Sequence, residues 1–332
     1  MNTLRVGLIG AGGIAGAHVK GYLANPDVAT LVAVADPVAE NAQRRADLAG
    51  ADVYSSYQDM LEGADIDAVD ICLPHHMHKD AIVAAAAAGK HILCEKPLCL
   101  TPEEAAIVTE AVESAGVTLM CAHNQLFAPS VVKAHELIES GLLGRVYEVR
   151  TTDSFYNNLD PSNMGWRATA STSGGGELID TGYHPTYLLK HLAGGRATDV
   201  AAMLSTHRLK FMEGEDSAQL LVRFDNGVVG TITTSWAYTA SANTERFSVV
   251  GELGSLYGKG PMLSYRLHTG EEETFEFEPV EEFAAEIRHF AESVLAGTQP
   301  IHSHREGIEV LGIILAAYQS ALTGTISPVV SA

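Results

Sequence analysis

The sequence predicts two α/β domains: a doubly wound parallel sheet over residues 1–122, then an α/β domain with a large, mostly antiparallel open sheet over residues 123–332. Three observations carry this expectation. As far as Ala122, apolar runs without polar interruption alternate with helical patterns, as strands covered on both faces require. A glycine-rich turn, Gly10-Ala11-Gly12-Gly13, follows the first run directly. Beyond His123 apolar and polar residues alternate instead, the period of a sheet with one face left open or covered by a partner.

In chain order, the first domain should hold strands at Arg5 to Ile9, Leu31 to Ala35, Asp52 to Tyr54, Ala68 to Leu73, His91 to Cys94 and Thr118 to Cys121. Asn25-Pro26 and Gly89 stop two of the intervening helices, and Thr101-Pro102-Glu103-Glu104 reads as a capping box for a helix that Gly116 ends. In the second domain, helices from Pro129 to Ser140 and from Glu177 to Leu192 should bracket a loop-rich segment. Strands follow from Ala197 to Phe277, with Asp225-Asn226-Gly227 marking a hairpin. Helices from Val280 to Ala296 and Glu306 to Leu322 close the chain, the last able to pack back on the first domain. The Glu-rich stretch from Glu271 to Glu286 reads as a solvated face.

Composition narrows the function. A net charge of −20 repels phosphate backbones and anionic lipid surfaces, which argues against nucleic-acid and membrane partners. The richest apolar stretches are about half the roughly 18 residues of a membrane span. Cys72, Cys94, Cys99 and Cys121 form no C-x-x-C pair, so a reduced, cytoplasmic chain is expected. Arg5 followed by an apolar stretch and Ala15-Gly16-Ala17 imitates a signal peptide, but the glycines between have another reading.

Gly10-Ala11-Gly12-Gly13-Ile14-Ala15 matches G-x-G-x-x-A between a strand and a helix. The first glycine permits the tight turn, the second lets a pyrophosphate approach the backbone, and the helix N-terminus at Ile14 and Ala15 faces the negative charge. Asp36 ends the second strand, 21 residues past Ala15, where a carboxylate can accept ribose hydroxyls. Arg44 and Arg45 are the nearest arginines, about two helical turns further on. Together these define a dinucleotide site preferring NAD to NADP. Lys96, in Glu95-Lys96-Pro97, follows a strand at the edge where such sheets bind ligands; an ion pair with an acid such as Glu95 accounts for it equally well. Asp180 and His184 lie four apart on an expected helix, so the carboxylate can orient the imidazole, although a surface pair would look the same.

The glycine fingerprint, Leu73-Pro74-His75-His76-Met77-His78, Glu95-Lys96-Pro97 and the G-G-G-x-L-x-D-x-G-x-H run ending at His184 together resemble the Gfo/Idh/MocA oxidoreductases, NAD(P)-dependent sugar and cyclitol dehydrogenases. The resemblance implies a Rossmann domain and a smaller α/β domain whose open sheet forms a subunit interface. It implies a catalytic trio of Lys96, Asp180 and His184, and a cofactor lying along Leu73, Pro74, His78, Glu95, Lys96 and Asn124 besides the fingerprint. One departure stands out: His123-Asn124-Gln125-Leu126-Phe127 lacks the basic residue many members carry there.

The expected chemistry is oxidation of a secondary ring hydroxyl of a sugar or cyclitol, with His184 as base, Lys96 holding the oxygen and Asp180 orienting the imidazole. Tyr156, Asn157, Asn158, Trp166, Arg167 and Tyr183 supply aromatic faces and hydrogen-bonding groups for a polyol. Two alternatives are a redox-neutral glycoside-cleaving enzyme and a catalytically silent sugar sensor; the intact trio argues against the sensor. No metal is expected, because His75, His76 and His78 lack an acidic or cysteine companion at a recognised spacing. His302 and His304 read as surface imidazoles. A homo-oligomer, dimer or tetramer, should form through the second sheet.

Overall fold

The structure, a computed structural model, describes residues 3–330 and divides into two compact units. The first holds the chain as far as Asn124 together with Glu281–Ile308; the second holds Gln125–Val280 and the chain from Glu309.

In the first unit β1 (Leu4–Ile9), β2 (Ala29–Ala35), β3 (Asp52–Tyr54), β4 (Ala68–Ile71), β5 (His91–Glu95) and β6 (Leu119–Ala122) form one parallel sheet in the order β3-β2-β1-β4-β5-β6. All six expected strands are present. The strand order reverses between β1 and β4, so the loops leaving their carboxyl ends diverge and leave a crevice there. Helices α1 (Ala15–Ala24), α2 (Ala39–Ala49), α3 (Tyr57–Gly63), α4 (His78–Ala87) and α5 (Pro102–Ala115) fill the crossovers. The capping box forms: Glu104 N–H donates to Thr101 Oγ1 at 3.2 Å, and Gly116 ends α5 at φ +65°.

The second unit contains α6 (Pro129–Glu139), β7 (Val146–Ser154), α7 (Ala170–Ser173), α8 (Glu177–Asp180), α9 (Tyr183–Ala193), β8 (Ala197–Ser205), β9 (Ser217–Phe224), β10 (Val229–Ser235), β11 (Phe247–Gly251), β12 (Gly254–Lys259), β13 (Met262–Leu267) and β14 (Glu272–Glu276). After α10 (Glu282–Ala296), α11 (His304–Thr323) and β15 (Ser327–Pro328) complete the chain. Nine strands form one sheet in the order β14-β13-β12-β11-β7-β10-β9-β8-β15, antiparallel except where β7 meets β10. Along β9, Ala218, Leu220, Val222 and Phe224 are buried while Gln219, Leu221 and Arg223 are exposed. Helices α6, α8 and α9 pack on the sheet. The exposed set runs from Met203 and Leu221 through Arg150 to Tyr257, in register across five strands and β8.

Three expectations need correction. The segment read as loop-rich contains β7, the central strand, whose Val149 and Thr151 point inward among mostly polar neighbours. The helix expected from Glu177 to Leu192 is broken after Asp180. Pro185 has no N–H for the Thr181 carbonyl, which takes the His184 amide at 2.9 Å instead, so α9 starts afresh at Tyr183. His302 and His304 are buried, and His302 Nδ1 lies 2.6 Å from Nδ1 of His123. In addition, α10 belongs with the first unit, whereas α11 from Glu309 onward belongs with the second: Asn25 Nδ2 donates to Ala284 O and Arg288 pairs with Asp27, both at about 2.8 Å or less.

The glycine run before α8 answers to packing. A Cβ on Gly175 would come within 2.2 Å of Tyr318 Oη, and one on Gly176 within 2.1 Å of Glu215 O. Glu215 secures the start of α8, accepting the Leu178 amide at 2.8 Å and the Tyr318 hydroxyl at 3.2 Å. Burial pushes its carboxyl up to about 7, against the lowering effect of those donors. Between the ordinary glutamate pKa and about 7 the folded chain therefore keeps a proton that the unfolded chain has lost, and this group's contribution falls as pH rises through that window. Glu215→Gln should flatten the loss of stability between pH 5 and 7 by up to about 3 kcal/mol. Urea unfolding across that range checks it; an unchanged slope removes the assignment.

Candidate active site

At the carboxyl edge of the parallel sheet, Gly10 turns the chain at φ +89°, and a Cβ there would sit 2.6 Å from the Cys72 carbonyl oxygen. Gly12 and Gly13 differ: a Cβ on either meets nothing within 4 Å. Protein packing does not demand glycine at these two positions, whereas a phosphate group laid against the first amides of α1 does. Ala15 is fully buried beneath them and Ile14 is exposed beside the turn. Asp36 is locked to the same turn, Oδ2 accepting the Ala11 amide and Oδ1 the Val38 amide, each at 2.8 Å. Each oxygen keeps a lone pair for a ribose hydroxyl. The residues present therefore fit a dinucleotide. Arg45 departs from its expected remoteness: it reaches back along α2 and donates to Gly12 O at 2.8 Å.

The same edge carries Lys96, 8% exposed, immediately after β5. Its backbone is gripped on both sides. Lys96 N–H donates to Glu95 Oε2 at 3.2 Å, and the next carbonyl, Pro97 O, lies 2.6 Å from His78 Nδ1. His78 Nε2 lies 2.7 Å from Leu73 O, so this buried ring, beginning α4 just past Pro74, bridges the loops after β4 and β5. Burial lowers the His78 pKa, while the two carbonyls oppose that change. Asn124, at the end of the first unit, donates to Glu282 Oε2 at 3.2 Å.

In the second unit Asp180 meets Arg167, and His184 stands in the first turn of the helix that follows. Asp180, 6% exposed, ends α8 and pairs with Arg167 Nε; the guanidinium stacks 4.3 Å from the Trp166 ring. His184, in the first turn of α9, has Nδ1 2.9 Å from the Tyr187 hydroxyl, which also accepts the Gln125 amide at 3.2 Å. An oxygen accepting from Gln125 retains a second lone pair for an Nδ1–H. Between α8 and α9, Thr181 accepts the Trp236 indole N–H at 2.8 Å, tying the break to the loop after β10.

Of the expected substrate contacts, Tyr156 is exposed beneath the Arg208 guanidinium, and Asn157 O accepts from Arg208, with Asn158 following in the same loop. Tyr183 is fully buried, its ring edge-on to Tyr187. Sequence reading missed Tyr187 and Trp236, and placed Arg45 too far from the glycine turn. Only Tyr187 carried a local signal, standing three residues after His184 on one helix.

Comparison with known proteins supports the same division. Residues 4–123 match the Gfo/Idh/MocA oxidoreductase family, NAD-binding Rossmann fold, and residues 131–257 match the Gfo/Idh/MocA C-terminal domain. A levoglucosan dehydrogenase of Pseudarthrobacter phenanthrenivorans is 32% identical over 77% of this chain and 73% of its own. An inositol 2-dehydrogenase of Rhizobium meliloti is 30% identical over 96% of this chain and 97% of its own. A levoglucosan dehydrogenase solved with NADH and L-sorbose superposes with a TM-score of 0.92 at 28% identity, covering 100% of both chains. With both parts matched in order, this chain belongs to the Gfo/Idh/MocA oxidoreductase family, with its NAD-binding Rossmann fold.

Proposed function

We propose that the protein is an NAD-dependent dehydrogenase that oxidises a secondary ring hydroxyl of a sugar, sugar derivative or cyclitol to a ketone. The observation that carries this reading is Lys96: an ammonium on a buried residue at the ligand-binding edge of the sheet, with its backbone held on both sides. Relatives named for levoglucosan and inositol supply the substrate class. NAD, when bound, supplies the hydride acceptor. The chain's own groups do the rest. With the Nδ1 proton of His184 donated to Tyr187, Nε2 keeps its lone pair and takes the hydroxyl proton. Lys96 donates to the same oxygen and stabilises the negative charge growing there as the carbon loses its hydride. Asp180, backed by Arg167, offsets the cationic charge formed on the imidazole. Assembly as a homo-oligomer through the open face of the nine-stranded sheet completes the proposal, since Met203, Leu221, Val229 and Tyr257 leave apolar area exposed on it.

Three outcomes are expected. His184→Ala and Lys96→Ala should each lower turnover by orders of magnitude while NAD affinity stays within a few fold, measured with levoglucosan, inositols and L-sorbose as probes. Wild-type turnover in either variant sinks the roles, and turnover without net NADH points to redox-neutral glycoside cleavage. For the coenzyme, the fixed Asp36 carboxylate should disfavour a 2′-phosphate by roughly ten- to a hundredfold in kcat/KM. Asp36→Ser should narrow that gap, and Arg45→Ala added to it should reopen the gap by removing the phosphate's nearest cation. Equal kcat/KM for NAD and NADP in the unaltered protein would place the ribose elsewhere. Light scattering should return a multiple of the 35.2 kDa chain; a monomer at every accessible concentration removes the interface.

A further inference from the structure

A histidine, His18, faces the parallel sheet from the first helix. It sits on α1, one turn past the glycine turn, and is entirely buried. Nδ1 lies 2.8 Å from Asp70 Oδ2 in β4, and Nε2 lies 3.0 Å from Glu95 Oε1 at the end of β5. Two carboxylates facing both ring nitrogens ask for a proton on each, the doubly protonated ring. Burial opposes that charge, but Asp70 and its hydrogen bond outweigh it and hold the His18 pKa well above its ordinary value. The other groups facing this ring do not supply a competing cation. Cys72 and Tyr22 are driven by burial toward their neutral forms, as is Glu286 from α10, and the Phe283 ring of α10 covers the imidazole at 5.3 Å.

The second oxygen of Glu95 accepts the Lys96 amide. One unbroken chain of hydrogen bonds therefore runs from Asp70 through His18 and Glu95 to the Lys96 backbone, and its middle member rides on the helix whose first amides face the phosphate site. Resting on the reading of Lys96 above, we propose that His18 is a positioning residue: through Glu95 it fixes the Lys96 backbone and couples the seating of the dinucleotide on α1 to the placement of the Lys96 ammonium. His18 itself touches neither substrate nor coenzyme in this role. Its removal takes away one of the contacts that fix the Glu95 carboxylate, so the acceptor held against the Lys96 amide can shift.

The test uses the NADH-saturated protein. In His18→Ala, amide hydrogen exchange at Lys96 should quicken at least tenfold while exchange in β1 and β6 stays unchanged. With whichever probe sugar the unaltered protein oxidises, kcat should fall at least tenfold with KM and NADH affinity within threefold. The decisive measurement is a double-variant cycle: in a Lys96→Ala background, His18→Ala should cause no further loss. Losses that multiply, or Lys96 exchange that does not change, overturn the proposal. If His18→Ala does not fold, Glu95→Ala carries the same test. Alanine can bond neither the His18 ring nor the Lys96 amide, whereas a glutamine NH2 could donate to an unprotonated His18 Nε2 while its oxygen still accepted the Lys96 amide. Full turnover in Lys96→Ala, with quickened exchange in the His18 variant, would overturn the role given to Lys96 and leave the linkage standing.

Discussion

The first unit depends on how closely β1 and β4 approach at their carboxyl ends. Gly10 lies so near the Cys72 carbonyl that no side chain fits between them, and that approach decides where α1 begins. Because α1 begins there, its opening amides face the crevice and His18 falls over the gap between β4 and β5. Glu95 and Lys96 are then placed by contacts that start from the same helix. The helix that follows the glycine turn and the lysine are joined by one chain of hydrogen bonds through His18 and Glu95.

The second unit solves its placement problem differently. Here the residues proposed for the chemistry sit on a broken helix, with Asp180 ending one piece and His184 in the first turn of the next. The break is pinned from three directions: Glu215 on the amide of Leu178, Trp236 on Thr181, and Tyr187 on the imidazole. Side chains at a helix junction can point where a continuous helix would not allow, at the cost of burying polar groups that need partners. Glu177 shows that cost, one of its oxygens receiving Thr234 and the other buried without a partner.

The parallel sheet was legible strand by strand, with bounds off by up to two residues, because most of its strands are short apolar runs between recognisable helix stops. The second sheet was legible where alternation was clean, as in β9, and illegible in β7, whose Glu148, Arg150 and Asp153 hide a central strand. Lys96, Asp180 and His184 could be named as candidates because they stand in motifs. Their supports could not. His18, Tyr187, Glu215 and Arg45 act through distances that only the fold creates, spanning 77 residues in the case of His18 and Glu95. The broken helix was hidden by its own periodicity, although Pro185 stood in the sequence to announce it.

The ends of the nine-stranded sheet have their own consequence. One edge is β14, whose Glu272, Glu273 and Glu276 are exposed; the other is β15, two residues long and containing Pro328, which offers no N–H. A strand arriving at the first edge meets a row of carboxylates, and one arriving at the second meets a two-residue strand lacking one amide, beside a β8 whose Ala202 amide is already taken by Ser320 Oγ. A wide sheet with an open face is thereby kept from lengthening sideways, so runaway stacking into fibres is blocked while face-to-face contact stays permitted.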